Sequence, residues 1–168
     1  DPATGLLVQK LYDDLSAEQA GGKGPSYTYT PDGKLATRTW ARGIVTSYAY
    51  DVLGSVLSVN YSDATPDVTY TYDRIGRQLS AIAAGVSTNL YAYSTNTLEL
   101  IAETQNGVVL NRISDPNGRS TGLSVAGVGD PGQPYFVAYG YDTFGRFQSV
   151  ESAQSADAFT YTYLGGTD

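Results

Sequence analysis

The stretch VTYTYDRIGRQL, residues 68–79, decides how this 168-residue chain folds. Its first five residues alternate in the way of a β-strand: Val68, Tyr70 and Tyr72 share one face, and the threonines between them share the other. The DRIG that follows has the chemistry of a tight turn. An aspartate in first place accepts hydrogen bonds from backbone amides, and a glycine in fourth place tolerates the positive φ of a turn closed by a bulge.

The same unit recurs along the chain. Of 15 tyrosines, twelve form Tyr-x-Tyr pairs. The pairs are Tyr27/Tyr29, Tyr48/Tyr50, Tyr70/Tyr72, Tyr91/Tyr93, Tyr139/Tyr141 and Tyr161/Tyr163, and their second members are separated by 21, 22, 21, 48 and 22 residues. The interval of 48 contains a degenerate copy, RISDPNGR, in which Ser114 takes the tyrosine position. About seven repeats of 21–22 residues are therefore predicted, each burying its apolar face against its neighbours.

Turn residues follow the tyrosine pairs at fixed distances. The predicted structural motif comprises those pairs together with Gly33, Asp51, Gly54, Asp73, Gly76, Asp115, Gly118, Asp142 and Gly145. Reversals such as Asn106-Gly107 stand at the opposite strand ends. Two turns per period predict an all-β, antiparallel hairpin meander of about fourteen strands. We expect one domain over residues 1–168, with a hydrophobic core and a longer loop near residues 122–134.

Composition excludes several classes of function. The chain has no cysteine and no histidine, which removes Ser-His-Asp and Cys-His catalysis and the usual zinc and iron–sulfur sites. Its ten basic residues are scattered among 17 acidic ones, which argues against nucleic acid as a partner. No apolar run is long enough for membrane insertion, and no cofactor is expected. The first and last residues, DPATG and LGGTD, suggest a piece of a longer protein.

YTYDRIGRQL, YAYDVLGSVL and YGYDTFGRFQSV resemble the tyrosine–aspartate repeat of the RHS/YD-repeat family, and the resemblance covers nearly the whole chain. It implies a curved or spiralling strip of hairpins that forms the wall of a hollow shell in a secreted or cell-surface protein. In bacterial toxins such a shell encloses a cytotoxic C-terminal segment. In animal, teneurin-like adhesion proteins a related shell is part of a receptor. The self-cleaving segment of some members is not found in full, and NLYAYSTN is interpreted as a degenerate repeat.

Three functional interpretations compete with a structural one. An enzyme site made of Tyr72, Asp73 and Arg77 would recur in other copies, which active sites rarely do, so no catalytic residue is assigned. Each turn offers one carboxylate, too few for a calcium cage, and the only adjacent acidic pair is Asp13-Asp14. No metal site is therefore expected. Trp40 is either a sugar-binding platform or, as we favour, a half-buried aromatic at a strand end.

Two hypotheses remain. In the first, the chain is a non-catalytic wall segment whose partners are neighbouring repeats and an encapsulated C-terminal toxin or cargo polypeptide. In the second, it is a cell-surface adhesion or carbohydrate-binding module that uses aromatic residues and the loop around residues 127–134. Glycan binding has no support in the sequence beyond those features. Either hypothesis leaves unpaired strand edges, which predict edge-to-edge self-association.

Overall fold

A computed structural model describes residues 2–12, 24–126, 135–152 and 158–164. These residues form thirteen strands and no helix, so the described part contains no helix that could span a membrane. The strands are β1 (Ser26–Tyr29), β2 (Leu35–Thr39), β3 (Val45–Tyr50), β4 (Val56–Tyr61), β5 (Val68–Tyr72), β6 (Gln78–Ala83), β7 (Ser87–Tyr93), β8 (Leu100–Gln105), β9 (Val108–Ser114), β10 (Ser120–Ala126), β11 (Tyr135–Tyr141), β12 (Phe147–Ser152) and β13 (Phe159–Thr160). The predicted all-β hairpin meander is confirmed. The count is thirteen because the last copy contributes only its first strand to the described residues.

Contacts divide the chain into two compact units, Asp1–Ser87 and Thr88–Asp168. Within the first unit, each strand from β1 to β6 pairs antiparallel with the next along the chain. Within the second unit, β7 to β13 follow the same rule. The single domain over residues 1–168 stays a prediction. Most of the enlarged loop near residues 122–134 lies outside the described part, although residues 122–126 extend β10.

A β-bulge occurs at the same place in each hairpin that carries the motif. In the β3–β4 hairpin, Ala49 lies opposite Ser58 and Tyr50 lies opposite Val56, which leaves Leu57 without a partner. The equivalent register shifts fall at Thr28/Tyr29, Thr71/Tyr72, Ala92/Tyr93 and Gly140/Tyr141. An extra residue increases the local twist of the strand that carries it. The bulge therefore gives successive hairpins the same local distortion next to the second tyrosine.

The described strands have two different faces and enclose no hydrophobic core. Val68, Tyr70 and Tyr72 of β5 are half-buried on one face, whereas Thr69 and Thr71 are exposed on the other. No hydrophobic residue of the described part is classed as buried. The prediction of a core was therefore wrong, because apolar content predicts how much surface can be buried but does not supply a second layer to bury it against. Apolar contacts are instead made between neighbours within the sheet.

Candidate functional site in the turns and tyrosine pairs

The carboxylate of Asp73 closes the turn between β5 and β6. Its Oδ1 accepts hydrogen bonds from the amides of Ile75 at 3.0 Å and Arg77 at 2.9 Å. Its Oδ2 accepts one from Nε of Arg77 at 2.6 Å. The amide of Gly76 donates to the Asp73 carbonyl at 3.1 Å, and the φ of Gly76 is 84°. The Asp73 side chain thus stabilises the turn, as the sequence predicts. Its carboxylate oxygens accept their hydrogen bonds from groups within that turn.

The other turns repeat this arrangement. Asp115 and Asp142 accept from the amides two and four residues ahead, and each pairs with an arginine Nε at 2.7 Å. Asp51 accepts the same two amides, but Ser55 stands where the others have arginine. The glycines that close these turns all have positive φ; they are Gly33 (81°), Gly54 (91°), Gly118 (79°) and Gly145 (77°). Threonine replaces aspartate in the first of these turns, where the Thr30 hydroxyl accepts from the Lys34 amide at 3.0 Å.

These bonds hold the turn aspartates in the ionised form. Burial alone would raise the pKa of Asp73, but the hydrogen bonds from Arg77 outweigh it, so this pKa lies below its ordinary value. The amide of Arg119 is the main cause of the lowered pKa of Asp115. At Asp32 the Lys34 ammonium lowers the pKa from 3.8 to about 2. A carboxylate that must stay charged to hold its turn is poorly suited to accept a proton near neutral pH.

The second tyrosine of a pair ties its hairpin to the preceding one. The hydroxyl of Tyr50 donates to the Leu35 carbonyl at 2.8 Å, and that of Tyr72 donates to Val56 at 2.9 Å. Tyr141 donates likewise to Ser120 at 2.7 Å, and Tyr163 donates to the Phe147 carbonyl. Each acceptor comes two residues after the turn glycine of the preceding copy. We call this contact the tyrosine clasp.

The clasp satisfies a carbonyl that the strand ladder does not reach. The pairing of β2 with β3 ends at Thr37 opposite Ser47, two residues short of Leu35. The same offset separates Val56 from the end of the β4–β5 ladder, which holds only the pairs Ser58↔Thr69 and Val59↔Val68. An unpaired, partly buried carbonyl is costly. The tyrosine hydroxyl therefore supports the sheet where adjacent hairpins diverge.

A cation covers the ring of several clasp tyrosines. Arg119 lies 4.9 Å from the ring centroid of Tyr141, and Arg146 lies 4.1 Å from that of Tyr163. Lys34 lies 5.6 Å from the ring of Tyr50. The two arginines are the ones that pair with the turn aspartates of the preceding copy. Turn carboxylate, arginine and the next tyrosine thus form a continuous chain of contacts between copies.

The same clasp reveals a further turn, which precedes β1. Tyr29 donates from its hydroxyl to the Leu7 carbonyl at 2.8 Å, and Leu7 follows Gly5, whose φ is 70°, by two residues. Beyond it, Gln9 bridges to Ser26 of β1. Gly5 therefore closes a further copy of the turn. No tyrosine pair precedes it, so the spacing of pairs could not reveal it.

The two tyrosines of a predicted motif pair occupy different positions relative to the strands. First tyrosines lie within strands, as in Tyr27, Tyr48, Tyr70, Tyr91 and Tyr139, and Tyr161 comes directly after β13. Second tyrosines end strands in Tyr29, Tyr50, Tyr72, Tyr93 and Tyr141. The aromatic ring pairs among the described residues all involve Phe147, which lies 5.5 to 5.9 Å from the rings of Tyr139, Tyr141 and Tyr161.

The competing functional interpretations gain little from this geometry. Burial raises the pKa of Tyr72, which moves it further from use as an acid near neutral pH. No group of three metal-ligating side chains occurs in the described ranges, and Asp13-Asp14 and residues 127–134 lie outside them. Trp40 donates from Nε1 to the Thr46 hydroxyl at 3.0 Å, and the Arg38 guanidinium lies 3.5 Å from its ring centroid. An indole with one face covered in this way offers less surface to a sugar.

Comparison with known proteins shows the fold alone. Neither a protein-family model nor a curated protein matches the chain. Among solved structures, it is similar to a chain in the crystal structure of TcdB2-TccC3-Cdc42, with a TM-score of 0.52 and 18% identity over 82% of this chain. It is also similar to a chain of TcdB2-TccC3-TEV, with a TM-score of 0.51 and 17% identity over 81%. In both cases the match covers only 9% of the much longer chain.

Proposed function

We propose that this chain is a non-catalytic wall segment of an RHS/YD-repeat shell that encloses a C-terminal toxin or other cargo polypeptide. The observation that carries the proposal is the tyrosine clasp, which links one hairpin to the preceding one at repeated positions such as Tyr72 and Val56. Aspartates, arginines and tyrosines that would be candidates for catalysis are engaged in these links. The resemblance of YTYDRIGRQL to the tyrosine–aspartate repeat agrees with this role.

The architecture suits a wall. A sheet with no buried hydrophobic residue in its described part gains stability from neighbouring strands, so it can be extended copy by copy. The fold similarity to much longer chains, of which it matches 9%, supports a role as one segment of a larger assembly. A half-buried tyrosine face presents aromatic rings and hydroxyls, which can contact an unfolded chain without a specific sequence.

The proposal includes partners and location. Neighbouring repeats of the full-length protein continue the sheet, and the enclosed partner is a polypeptide encoded further along. By the family resemblance, we place the full-length protein outside the cell or at the cell surface. The unpaired edges of the isolated chain would then be covered by neighbouring repeats.

Native-state proteolysis of the full-length gene product tests the proposal. We expect the C-terminal segment to resist a nonspecific protease while the protein is folded, and to be cleaved rapidly after denaturation. Y72F, which loses the clasp hydroxyl, should increase cleavage of that segment. Y70F is the matched control, because Tyr70 lies two residues away and its hydroxyl makes no hydrogen bond in the described part. A C-terminal segment cleaved equally fast in the folded protein and in isolation would contradict the proposal.

A further inference from the structure

Arg38 lies within an aromatic cluster on the tyrosine face of the first unit. It lies directly opposite Tyr27 of β1, and its guanidinium carbon is 6.0 Å from that ring and 3.5 Å from the ring of Trp40. Thr46 lies opposite Arg38 on the other side, and Tyr61 lies opposite Thr46. Cross-strand partners share a face of the sheet. These five residues therefore form one patch, which we call the Arg38 patch.

Arg38 differs from the ion-paired arginines of the sheet. Arg77, Arg112, Arg119 and Arg146 each form a salt bridge with an aspartate or glutamate. Arg38 forms none in the described part, and its buried Nε has no hydrogen-bond partner. Its side chain is half-buried, in a protein of net charge −7. A buried guanidinium nitrogen without an acceptor is unfavourable, and aromatic faces compensate only partly.

The patch is held in position before any ligand arrives. Trp40 is fixed by the hydrogen bond from its Nε1 to the Thr46 hydroxyl at 3.0 Å. Thr46 is only 2% exposed, so water has little access to this hydrogen bond. The stacked indole in turn restricts the guanidinium plane, which lowers the entropy lost when the group binds a ligand.

We propose that the Arg38 patch binds a carboxylate, with the guanidinium as its donor and Tyr27 and Trp40 as flanking walls. The planar fork of arginine matches the two oxygens of a carboxylate. The carboxylate comes either from an aspartate or glutamate side chain of an extended polypeptide or from a small free acid. The inference does not depend on the proposed shell, since it rests only on contacts within β1 to β4.

Fluorescence of Trp40, the only tryptophan in the chain, reports directly on the patch. We would titrate the folded protein with the blocked peptide Ac-Gly-Glu-Gly-NH2, with its glutamine counterpart, and with sodium acetate at constant ionic strength. The expected result is a saturable change with the glutamate peptide and none with the glutamine peptide. Saturation by acetate at the same concentrations would assign the site to small acids, and saturation by the peptide alone would assign it to polypeptides.

Two variants distinguish binding at the Arg38 patch from nonspecific attraction of the peptide to positive charge. R38M keeps the aliphatic stem but removes the donor, and it should weaken peptide binding at least about tenfold. R112M removes a paired arginine elsewhere and should leave binding unchanged. Because R38M also alters the Trp40 baseline, equilibrium dialysis of labelled peptide provides the second readout, and circular dichroism checks folding. Equal responses to the glutamate and glutamine peptides, or equal binding by R38M and the unmodified chain, would overturn the inference.

Discussion

The hydroxyl of Tyr72 donates a hydrogen bond of 2.9 Å to the carbonyl of Val56, 16 residues earlier. The contact joins the β5–β6 hairpin to the β3–β4 hairpin at a point that the β4–β5 ladder does not reach. Similar contacts made by Tyr50 and Tyr141 show that this is a property of the repeat. The second tyrosines of these pairs therefore link copies, in addition to fitting the strand pattern.

Loss of one clasp should destabilise the sheet measurably. We expect Y72F to lower the free energy of unfolding by about 1 kcal/mol, because the part-buried Val56 carbonyl loses its donor. Urea denaturation followed by circular dichroism measures the effect as a shift of the midpoint. Y70F removes a hydroxyl from the same strand without breaking a clasp, so it should shift the midpoint much less. Equal shifts for the two variants would show that the hydroxyl bond contributes little.

Gly76 should be sensitive to substitution for conformational reasons alone. Its φ is 84°, and a Cβ placed there would meet nothing within 4 Å. We expect G76V to destabilise the hairpin by about 1–2 kcal/mol, because a β-branched residue strongly disfavours this region. G76N is the matched variant, since asparagine tolerates positive φ, and it should cost clearly less. If both variants unfold at the same urea concentration, the left-handed turn is not what constrains this position.

The lowered pKa values of the turn aspartates predict that the folded chain loses stability in acid. Hydrogen bonds lower the pKa of Asp73, Asp115 and Asp142 in the folded chain. Each carboxylate therefore stabilises the fold at pH values above its unfolded pKa of about 3.9. That stabilisation is lost as the pH falls through the pKa of the folded state. We expect the urea midpoint to be nearly constant between pH 5 and 7 on this account and to fall below about pH 4. D73N should already be less stable at neutral pH and lose less on acidification. A urea midpoint that rises as the pH falls below 4 would contradict the lowered pKa values of the turn aspartates.

The isolated chain should associate through its strand edges. Residues 7–10 continue the sheet beyond β1, and Leu7 and Val8 are 55% and 47% exposed there. Unpaired edges invite pairing with another chain. Sedimentation velocity over a hundredfold concentration range should show dimers or larger species, and V8K should reduce them because a charge on an edge discourages pairing. A monomer at every concentration would refute the expectation.

The repeat and its turns could be predicted because they are local. The Tyr-x-Tyr alternation and the Asp-to-Gly spacing lie within about ten residues, so the strands and the Asp73 turn follow from the sequence. The tyrosine clasp could not be predicted in this way, since Tyr72 and Val56 meet only after two ladders have set their register. The aspartate–arginine pairs of the turns, by contrast, have a signal in the sequence: arginine follows the turn glycine at Arg77, Arg119 and Arg146. That recurrence pointed to a partner for the aspartate.

The absence of a hydrophobic core in the described part could not be predicted for a similar reason. Hydrophobic content of 41% is ordinary for a globular domain, but the sequence does not state whether a second layer covers the sheet. Ile82 of β6 and Leu90 of β7 remain 37% and 43% exposed, as large apolar residues do in a single layer. The Arg38 patch was also missed, because Arg38 and Tyr27 come together only through the register of β1 and β2.

Electron cryomicroscopy of the full-length gene product tests the central claim most directly. We predict that the hairpins of residues 24–126 form part of a continuous wall, and that a polypeptide from the C-terminal part lies inside it. A structure in which these hairpins stand as a separate module, with both faces open to solvent and no enclosed chain, would contradict the shell and favour a binding module.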